Sequence, residues 1–378
     1  VVLSDRSTEN ELITMDYMQR ALALAGQALG RVSPNPAVGA VLVRDGRVVG
    51  EGFTRPPGGP HAEVVALEQA GEAARGAALY VSLEPCCHQG RTPPCTEAII
   101  AAGVAEVHMA ILDPDPNVSG RGRKELEAAG IAVQVGEREE EARRLNEAYI
   151  KHRTAGLPFV IAKFAASLDG RIAAASGDSR WISGPQSQQW AHEQRTTVDA
   201  IMVGVNTILV DDPQLTARPD GQESERQPLR VVADSGGRTP ANACVLQGPG
   251  RVLIATSDRS DPSWRQAMEG AGVEVLVLPG DGDSLDLAAL LKALAERGVL
   301  SLLVEGGGIL LGSFFDQGLV DKVQVIIAPL IIGAAEAPAA VAGRGAHRLA
   351  QAWRLREVTV ERLGDDTLIM GYPMKRGE

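Results

Sequence analysis

Four residues near the start of the chain have the types and spacing to handle a metal ion and a proton. His61 and Glu63 flank one alanine, and Cys86 and Cys95 follow, the first directly after Pro85. Two thiolates and one imidazole suit zinc, and three protein ligands leave a fourth position for water. Two thiolates also balance the charge of the ion, which still acidifies that water. Glu63 is the expected proton carrier. It takes a proton from the water and passes it to a ring nitrogen and then to a departing amine.

A His-x-Glu element followed by a Pro-Cys element is the pattern of zinc deaminases acting on nucleobases. This chain departs from that pattern, because eight residues rather than two separate Cys86 from Cys95. Cys87 and His88 lie in that loop and are competing ligands. The alternative is therefore a four-ligand structural zinc site, in which Glu63 has no task. Residues two apart do not share a helix face, so His61 belongs in the first turn, with Glu63 reaching round the metal.

The remaining cysteine, Cys244, is isolated and reads as a small buried apolar residue. Three of four cysteines within ten positions of a 378-residue chain do not form a disulfide framework. They point to a reducing compartment, the cytoplasm. The formal charge of -11 and the few aromatics argue against nucleic acid as a partner. No long apolar run suggests a membrane span.

The length favours two domains. Residues 1–14 read as a disordered or expression-derived lead-in, 15–155 as the metal-binding domain and 156–378 as a second one. Met18, Ala21, Leu22, Ala25 and Leu29 predict a first helix ending near Gly30. Val38 to Val43, Asp45-Gly46 and Arg47 to Gly50 predict a hairpin. A helix from His61 to Ala74, a strand from Ala77 to Leu83, a helix from Thr96 to Ala102 and a strand from Val104 to Leu112 follow. Then come a helix near Gly122 to Ala129, a strand from Ile131 to Val135 and a charged helix from Glu137 to His152. The fold class is α/β, here a mixed sheet with helices on both faces. Gly156-Leu157-Pro158 restarts the pattern. Strands are expected at Phe159 to Ala165, Ala200 to Val205, Leu229 to Asp234, Arg251 to Ala255, Val273 to Leu278, Leu300 to Val304 and Lys322 to Ala328, making a second α/β domain. There Gly306-Gly307-Gly308 offers a strand-to-helix turn able to approach a phosphate. The Gly-x-Gly-x-x-Gly fingerprint of a Rossmann domain is missing.

Taken together, the motifs resemble one family. Pro34-Asn35-Pro36, His61-Ala62-Glu63 and Gly90-Arg91-Thr92-Pro93-Pro94-Cys95 are similar to the bifunctional deaminase-reductase of riboflavin biosynthesis. In the second half, Lys163 to Arg171, Ser179-Arg180-Trp181-Ile182, Asp211 to Thr216 and Glu305 to Gly308 follow in the family's order. The resemblance spans roughly residues 15 to 375. It implies a cytidine-deaminase-like N-terminal domain and a dihydrofolate-reductase-like C-terminal domain. The implied reactions are zinc-dependent deamination of 2,5-diamino-6-(5-phosphoribosylamino)pyrimidin-4(3H)-one, then reduction of the ribosyl unit of 5-amino-6-(5-phosphoribosylamino)uracil to ribityl with NADPH. The implied partners are these small phosphoribosyl pyrimidines, with self-association into a dimer or tetramer.

Residue by residue, the resemblance places Asn35, Arg91, Asp113 and Asp115 in the pyrimidine pocket. Asp113 and Asp115 could equally be Asp-Pro pairs that end a strand. Ala165, Trp181, Thr207, Asp211, Ser235, Gly307, Gly308, Ile309, Leu310, Leu311, Gly312 and Ser313 are implied to contact NADPH. Ser179, Arg195, Leu215, Arg218 and Glu305 are implied to contact the phosphoribosyl substrate, Arg195 and Arg218 through guanidinium forks. Without the family, either arginine reads as a surface charge and Trp181 as core packing. Lys163 and Glu305 are the polar groups expected to assist the reduction. Thr54 stands where many members have His, Cys87 where they have a small polar residue, and Asp115 where some have Asn. The competing reading is a nucleic-acid base deaminase fused to a binding module.

Overall fold

The structure is a computed structural model that describes residues 16–90, 92–116, 118–281 and 284–374. The chain forms two compact units, one taking the described residues up to Ala28 with Ala37–Asn146, the other Leu29–Pro36 with Glu147 onward.

In the first unit, helix α1 (Tyr17–Gly26) starts at Asp16, whose carboxylate accepts the Gln19 N–H at 2.8 Å and so satisfies one free helix-end donor. Its Met18, Ala21, Leu22 and Ala25 are buried. Strands β1 (Gly39–Arg44) and β2 (Arg47–Phe53) form the expected hairpin through Asp45-Gly46. Then come α2 (Ala62–Ala70), β3 (Ala78–Val81), α3 (Cys95–Ala102), β4 (Glu106–Met109), α4 (Arg121–Ala128), β5 (Ala132–Val135) and α5 (Glu139–Leu145). The sheet runs β2-β1-β3-β4-β5. β1 is antiparallel to both its neighbours, and β3, β4 and β5 are parallel. Cys86 and Asp113 therefore sit on the loops leaving the carboxyl ends of adjacent parallel strands, where open α/β sheets place their sites.

The single charged helix expected from Glu137 to His152 is instead two, α5 and α6 (Glu147–Ala155), separated by Asn146 at φ -107°. The cause is local. The buried Asn146 amide accepts the Ala37 N–H at 3.0 Å and donates to the Ala37 carbonyl at 2.9 Å. An asparagine bonded to backbone elsewhere gives the helix a competing geometry.

The second unit continues with β6 (Phe159–Ser167), α7 (Pro185–Thr197), β7 (Ala200–Gly204), α8 (Val205–Asp211), β8 (Leu229–Ala233), β9 (Val252–Ser257), α9 (Pro262–Gly270) and β10 (Glu274–Leu278). After two short strands, β11 (Gly280–Asp281) and β12 (Ser284–Leu285), come α10 (Leu287–Glu296), β13 (Ser301–Glu305), α11 (Gly308–Asp316), β14 (Lys322–Ala328), β15 (Leu355–Leu363) and β16 (Asp366–Pro373). The nine-stranded sheet has the order β10-β9-β8-β7-β13-β6-β14-β16-β15. It is parallel through β14 and closes with the antiparallel pair β16 and β15. Each strand expected here is present. The hairpin of β15 and β16 was not anticipated; β15 is exposed along most of its length, and its apolar alternation is confined to Val358-Thr359-Val360.

One close approach shapes the site in this unit. The segment 337–345 lies against α11 and the turn after β6. Ala340 donates to the Gly170 carbonyl and Ala342 to the Gly308 carbonyl, and the Asp316 carboxylate accepts from Arg344 and Gly345 N–H. A Cβ on Gly308 or Gly312 would lie 2.2 or 2.1 Å from the carbonyl oxygens of Ala339 and Ala342, so only glycine admits this segment. We expect Gly312→Val to destabilise the second unit by about 1–3 kcal/mol, an overpacking cost. Urea denaturation followed by tryptophan fluorescence reads this unit alone, since Trp181, Trp190, Trp264 and Trp353 all lie in it.

Candidate functional site

In the first unit, two helix starts meet at the sulfurs. His61 is the N-cap of α2, in extended conformation, and Glu63 follows in the first turn. Cys95 is the first residue of α3, after Pro94. His61 was expected in the first turn and instead lies one step outside the helix, which lets residues two apart serve one centre. His61 Nδ1 lies 3.2 Å from Cys95 Sγ and 3.5 Å from Cys86 Sγ. The backbone N–H of Cys95 points at Cys86 Sγ, 3.4 Å away. His61, Cys86 and Cys95 bring their ligand atoms within 4.8 Å of one another, and no other such trio exists among the described residues. Cys87 and His88 are outside it.

The electrostatics suit a cation. The Cys95 thiol hydrogen-bonds to Cys86, lowering Cys86 to about 4 and pushing Cys95 well above the usual thiol value. The two sulfurs thus share one proton, and a divalent ion between them would replace it. The hydrogen bond to Cys86 raises His61. Glu63 is 3% exposed, and burial, reinforced by the charge on Cys86, raises its carboxyl from 4.5 to about 7. A carboxyl poised near neutrality can both accept and return a proton. One imidazole, two sulfurs and a buried acid with such a pKa fit zinc with an open position.

Of the expected pocket residues, Arg91 lies outside the described residues. Asn35 falls in the segment grouped with the second unit, its N–H donating to the Val32 carbonyl at 2.8 Å. Asp113 is buried and its carboxylate accepts the Asp115 N–H at 2.8 Å, so it shapes its own loop. Thr54 is buried. Glu84, which sequence reasoning missed, holds this region together. Its carboxylate accepts from the backbone N–H groups of Asp113 (3.1 Å), Gly120 (2.8 Å) and Arg123 (2.9 Å). It thereby ties the loop after β4 to a position two residues before Cys86. The available signal was an acid directly after the buried run Val81 to Leu83. Glu84→Ala should leave three donors unmet at about 1–3 kcal/mol each. The expected readout is lower thermal stability with faster amide exchange at Gly120 and Arg123, and Glu84→Gln should fall between.

In the second unit a cavity of about 250 Å³ opens at the carboxyl ends of β6, β7 and β13. Lys163, Ala165, Ser179, Trp181, Arg195, Thr207, Asp211, Leu215, Glu305, Gly307 and Leu311 line it, so residues expected for cofactor and for substrate share one pocket. Trp181 is 73% exposed at its rim and is not core packing. The segment Gly307 to Ser313 divides by face. Gly307 and Leu311 reach the cavity, Gly308 and Gly312 seat the crossing segment, Leu310 is buried, and Ile309 and Ser313 are exposed or part-exposed. Ser235 and Arg218 are not among the lining residues. The Ser235 carbonyl accepts the Ser257 hydroxyl at 2.7 Å.

Glu305 organises the charges here. Arg195 grips it with Nε at 3.0 Å and Nη2 at 2.7 Å, and Arg195 Nη1 donates to the Thr216 carbonyl. The expected phosphate fork is thus engaged inside the protein. Arg218 donates to Gln214 and Thr216. Lys163 Nζ lies 3.8 Å from Glu305. Burial opposes ionisation of Glu305, but Arg195 and Lys163 outweigh it and hold the carboxylate at about 2. Burial also lowers Lys163. His192, one helical turn before Arg195, was missed. Its Nδ1 accepts the Arg218 N–H at 3.2 Å, and burial together with Arg195 and Arg218 lowers it to about 4. Between pH 6.5 and 4 the unfolded chain takes up this proton and the folded one does not. Stability of the second unit should therefore fall as pH drops through that window. His192→Asn should flatten the slope in urea titrations between pH 6.5 and 4.5, above the range where Glu305 contributes.

Two family patterns match the chain. The cytidine and deoxycytidylate deaminase zinc-binding region covers residues 13–111, and the RibD C-terminal domain covers 158–369. The riboflavin biosynthesis protein RibD of Aquifex aeolicus is 43% identical over 357 residues, covering 94% of this chain and 98% of that protein. RibD of Escherichia coli K12 is 40% identical over 363 residues, covering 93% and 97%. Among solved structures, RibD of Acinetobacter baumannii superposes with a TM-score of 0.86 at 38% identity, covering 95% of this chain and 98% of that one. A Thermotoga maritima diaminohydroxyphosphoribosylaminopyrimidine deaminase/5-amino-6-(5-phosphoribosylamino)uracil reductase gives 0.83 at 36%, with the same coverage.

Proposed function

This chain belongs to the RibD family of riboflavin biosynthesis proteins, and from that premise we propose how its residues divide two reactions. It is a bifunctional enzyme with a zinc deaminase domain and an NADPH-dependent reductase domain. The reading is carried by the trio His61, Cys86 and Cys95 beside a buried Glu63.

In the deaminase, His61, Cys86 and Cys95 hold zinc. Zinc there supplies the Lewis acidity that makes water a nucleophile at neutral pH. Glu63 takes one proton from the attacking water and delivers it to the ring nitrogen beside the amino-bearing carbon; it then takes a second from the hydroxyl newly added to that carbon and gives it to the amine, which leaves as ammonia as the carbonyl forms. Glu63 is buried in the first turn of α2, next to the ligand His61, so one carboxyl is placed to serve each transfer. Asn35, Arg91, Asp113 and Asp115 bind the diaminopyrimidine, with Glu84 positioning the loop that carries the two aspartates.

In the reductase, NADPH supplies the reducing equivalent and the protein aligns it. Ala165, Trp181, Thr207, Asp211, Ser235 and Gly307 to Ser313 hold the cofactor, mainly through the faces that reach the cavity. Ser179, Arg195, Leu215, Arg218 and Glu305 hold the phosphoribosyl substrate. Reduction at C1′ requires the ribosyl ring to open to an imine. Lys163, half-buried beside Glu305 in the cavity wall, is the group placed to move a proton in that opening. Arg195 acts on the substrate chiefly by fixing Glu305.

The enzyme works in a reducing compartment, the cytoplasm, which suits four free cysteines. Among the described residues no helix is long and apolar enough to cross a membrane. Self-association is expected, and the exposed edge strand β15, with Val358 and Val360 outward, offers a surface for it.

Glu63→Ala or Cys95→Ser should lower ammonia release from the diamino substrate by at least about a hundredfold. NADPH oxidation on pre-formed deaminated substrate should survive. Arg218→Ala should do the reverse. Loss of both activities in either variant would contradict two independent sites.

A further inference from the structure

The zinc-site histidine has two ring nitrogens, and only one of them faces the sulfurs. Nδ1 is the atom 3.2 and 3.5 Å from Cys95 and Cys86 Sγ. Nε2, across the ring, lies 3.3 Å from the hydroxyl oxygen of Thr92. A neutral imidazole that offers a lone pair at one nitrogen carries its proton on the other. With Nδ1 turned to the metal, the proton is on Nε2 and needs an acceptor, and the Thr92 hydroxyl is in place to be it.

We propose that Thr92 is a positioning residue of the metal centre. Its oxygen accepts the His61 Nε2–H, fixing both the tautomer and the rotation of the ring. The inference rests on the zinc reading of this site and assigns a partner beyond the three ligands. It also gives the long loop between the cysteines a purpose. With only two residues between Cys86 and Cys95, no residue would remain to reach round the ring. Here the loop folds back, the Gly90 N–H donating to the Thr92 carbonyl at 3.2 Å. Pro93 and Pro94, each with φ fixed by its ring, then lead directly into Cys95 at the start of α3. The same short stretch therefore sets a ligand sulfur and the outer hydrogen bond of the ligand imidazole at a fixed spacing. Outer partners of metal-bound histidines hold the ring in its ligating orientation and raise its basicity.

The test is zinc affinity of the full chain by competition with a chelator, for wild type, Thr92→Val and Thr92→Ser. Valine keeps the shape and removes the acceptor, whereas serine keeps the oxygen. Thr92→Val should bind zinc about ten- to a hundredfold more weakly, the usual cost of losing such a partner. Thr92→Ser should stay close to wild type. Equal affinity of the valine variant and wild type overturns the proposal, as does a serine variant as weak as valine. Nitrogen NMR of His61 in the zinc-loaded wild type gives a second reading that needs no variant. A protonated Nε2 with Nδ1 on the metal supports the proposal, and the opposite arrangement overturns it. If wild type itself binds no zinc, the metal reading falls and Thr92 with it.

Discussion

Two helix starts converge on one pair of sulfurs, and the chemistry of the first unit depends on that meeting. α2 begins beside His61 and α3 begins at Cys95, and the first two N–H groups of α3 donate to Cys86, one to its sulfur and one to its carbonyl. Hydrogen bonds from the Cys95 thiol, from His61 and from the Cys95 N–H favour thiolate at Cys86. The same site is closed enough to push Glu63 the other way, toward its protonated form. A metal-binding anion and a proton-carrying acid thus sit side by side because one is satisfied by donors and the other is dried by burial. The parallel strands β3 and β4 make this arrangement reachable, since their carboxyl ends deliver both active loops to one edge, and Glu84 ties those loops together.

The second unit uses a different logic, a single carboxylate enclosed by cations. Glu305 ends β13, Lys163 is its direct partner on β6, and Arg195 comes down from α7. The sheet register sets the first pair and the helix supplies the second. Arg195 is held by Glu305 and Thr216, so it faces the pocket from a fixed position in its wall. The glycine-rich turn likewise has two tasks. Gly307 faces the cavity, while Gly308 and Gly312 let the segment 337–345 close against α11.

Much of this was legible in the sequence. The metal trio, the acid beside it, most of the first unit's element order and seven strands of the second followed from residue types, spacing and periodicity, and the family from the resemblance of whole motifs. What escaped was of three kinds. Asn146 broke a helix through a bond to Ala37, a residue far away in the chain, and no local pattern reports such a partner. β15 carries polar side chains on both faces, so the alternation that marks a half-buried strand shrinks to Val358-Thr359-Val360. Glu84 and His192 matter through backbone groups they hold, and the sequence shows the side chain but not its partner. Arg195 shows the same limit from the other side. Its type suggested phosphate, and only the fold reveals that its Nε, Nη1 and Nη2 each meet an acceptor inside the protein.

The central claim is that three protein ligands hold zinc and leave a fourth position open. X-ray absorption at the zinc edge, on the full chain loaded with one equivalent, tests it most directly. The account predicts two sulfurs at about 2.3 Å, one imidazole nitrogen and one further light atom at about 2.0–2.1 Å. A shell of three sulfurs, or of two sulfurs and two imidazoles, would mean that Cys87 or His88 fills the fourth position, and the hydrolytic reading would fail.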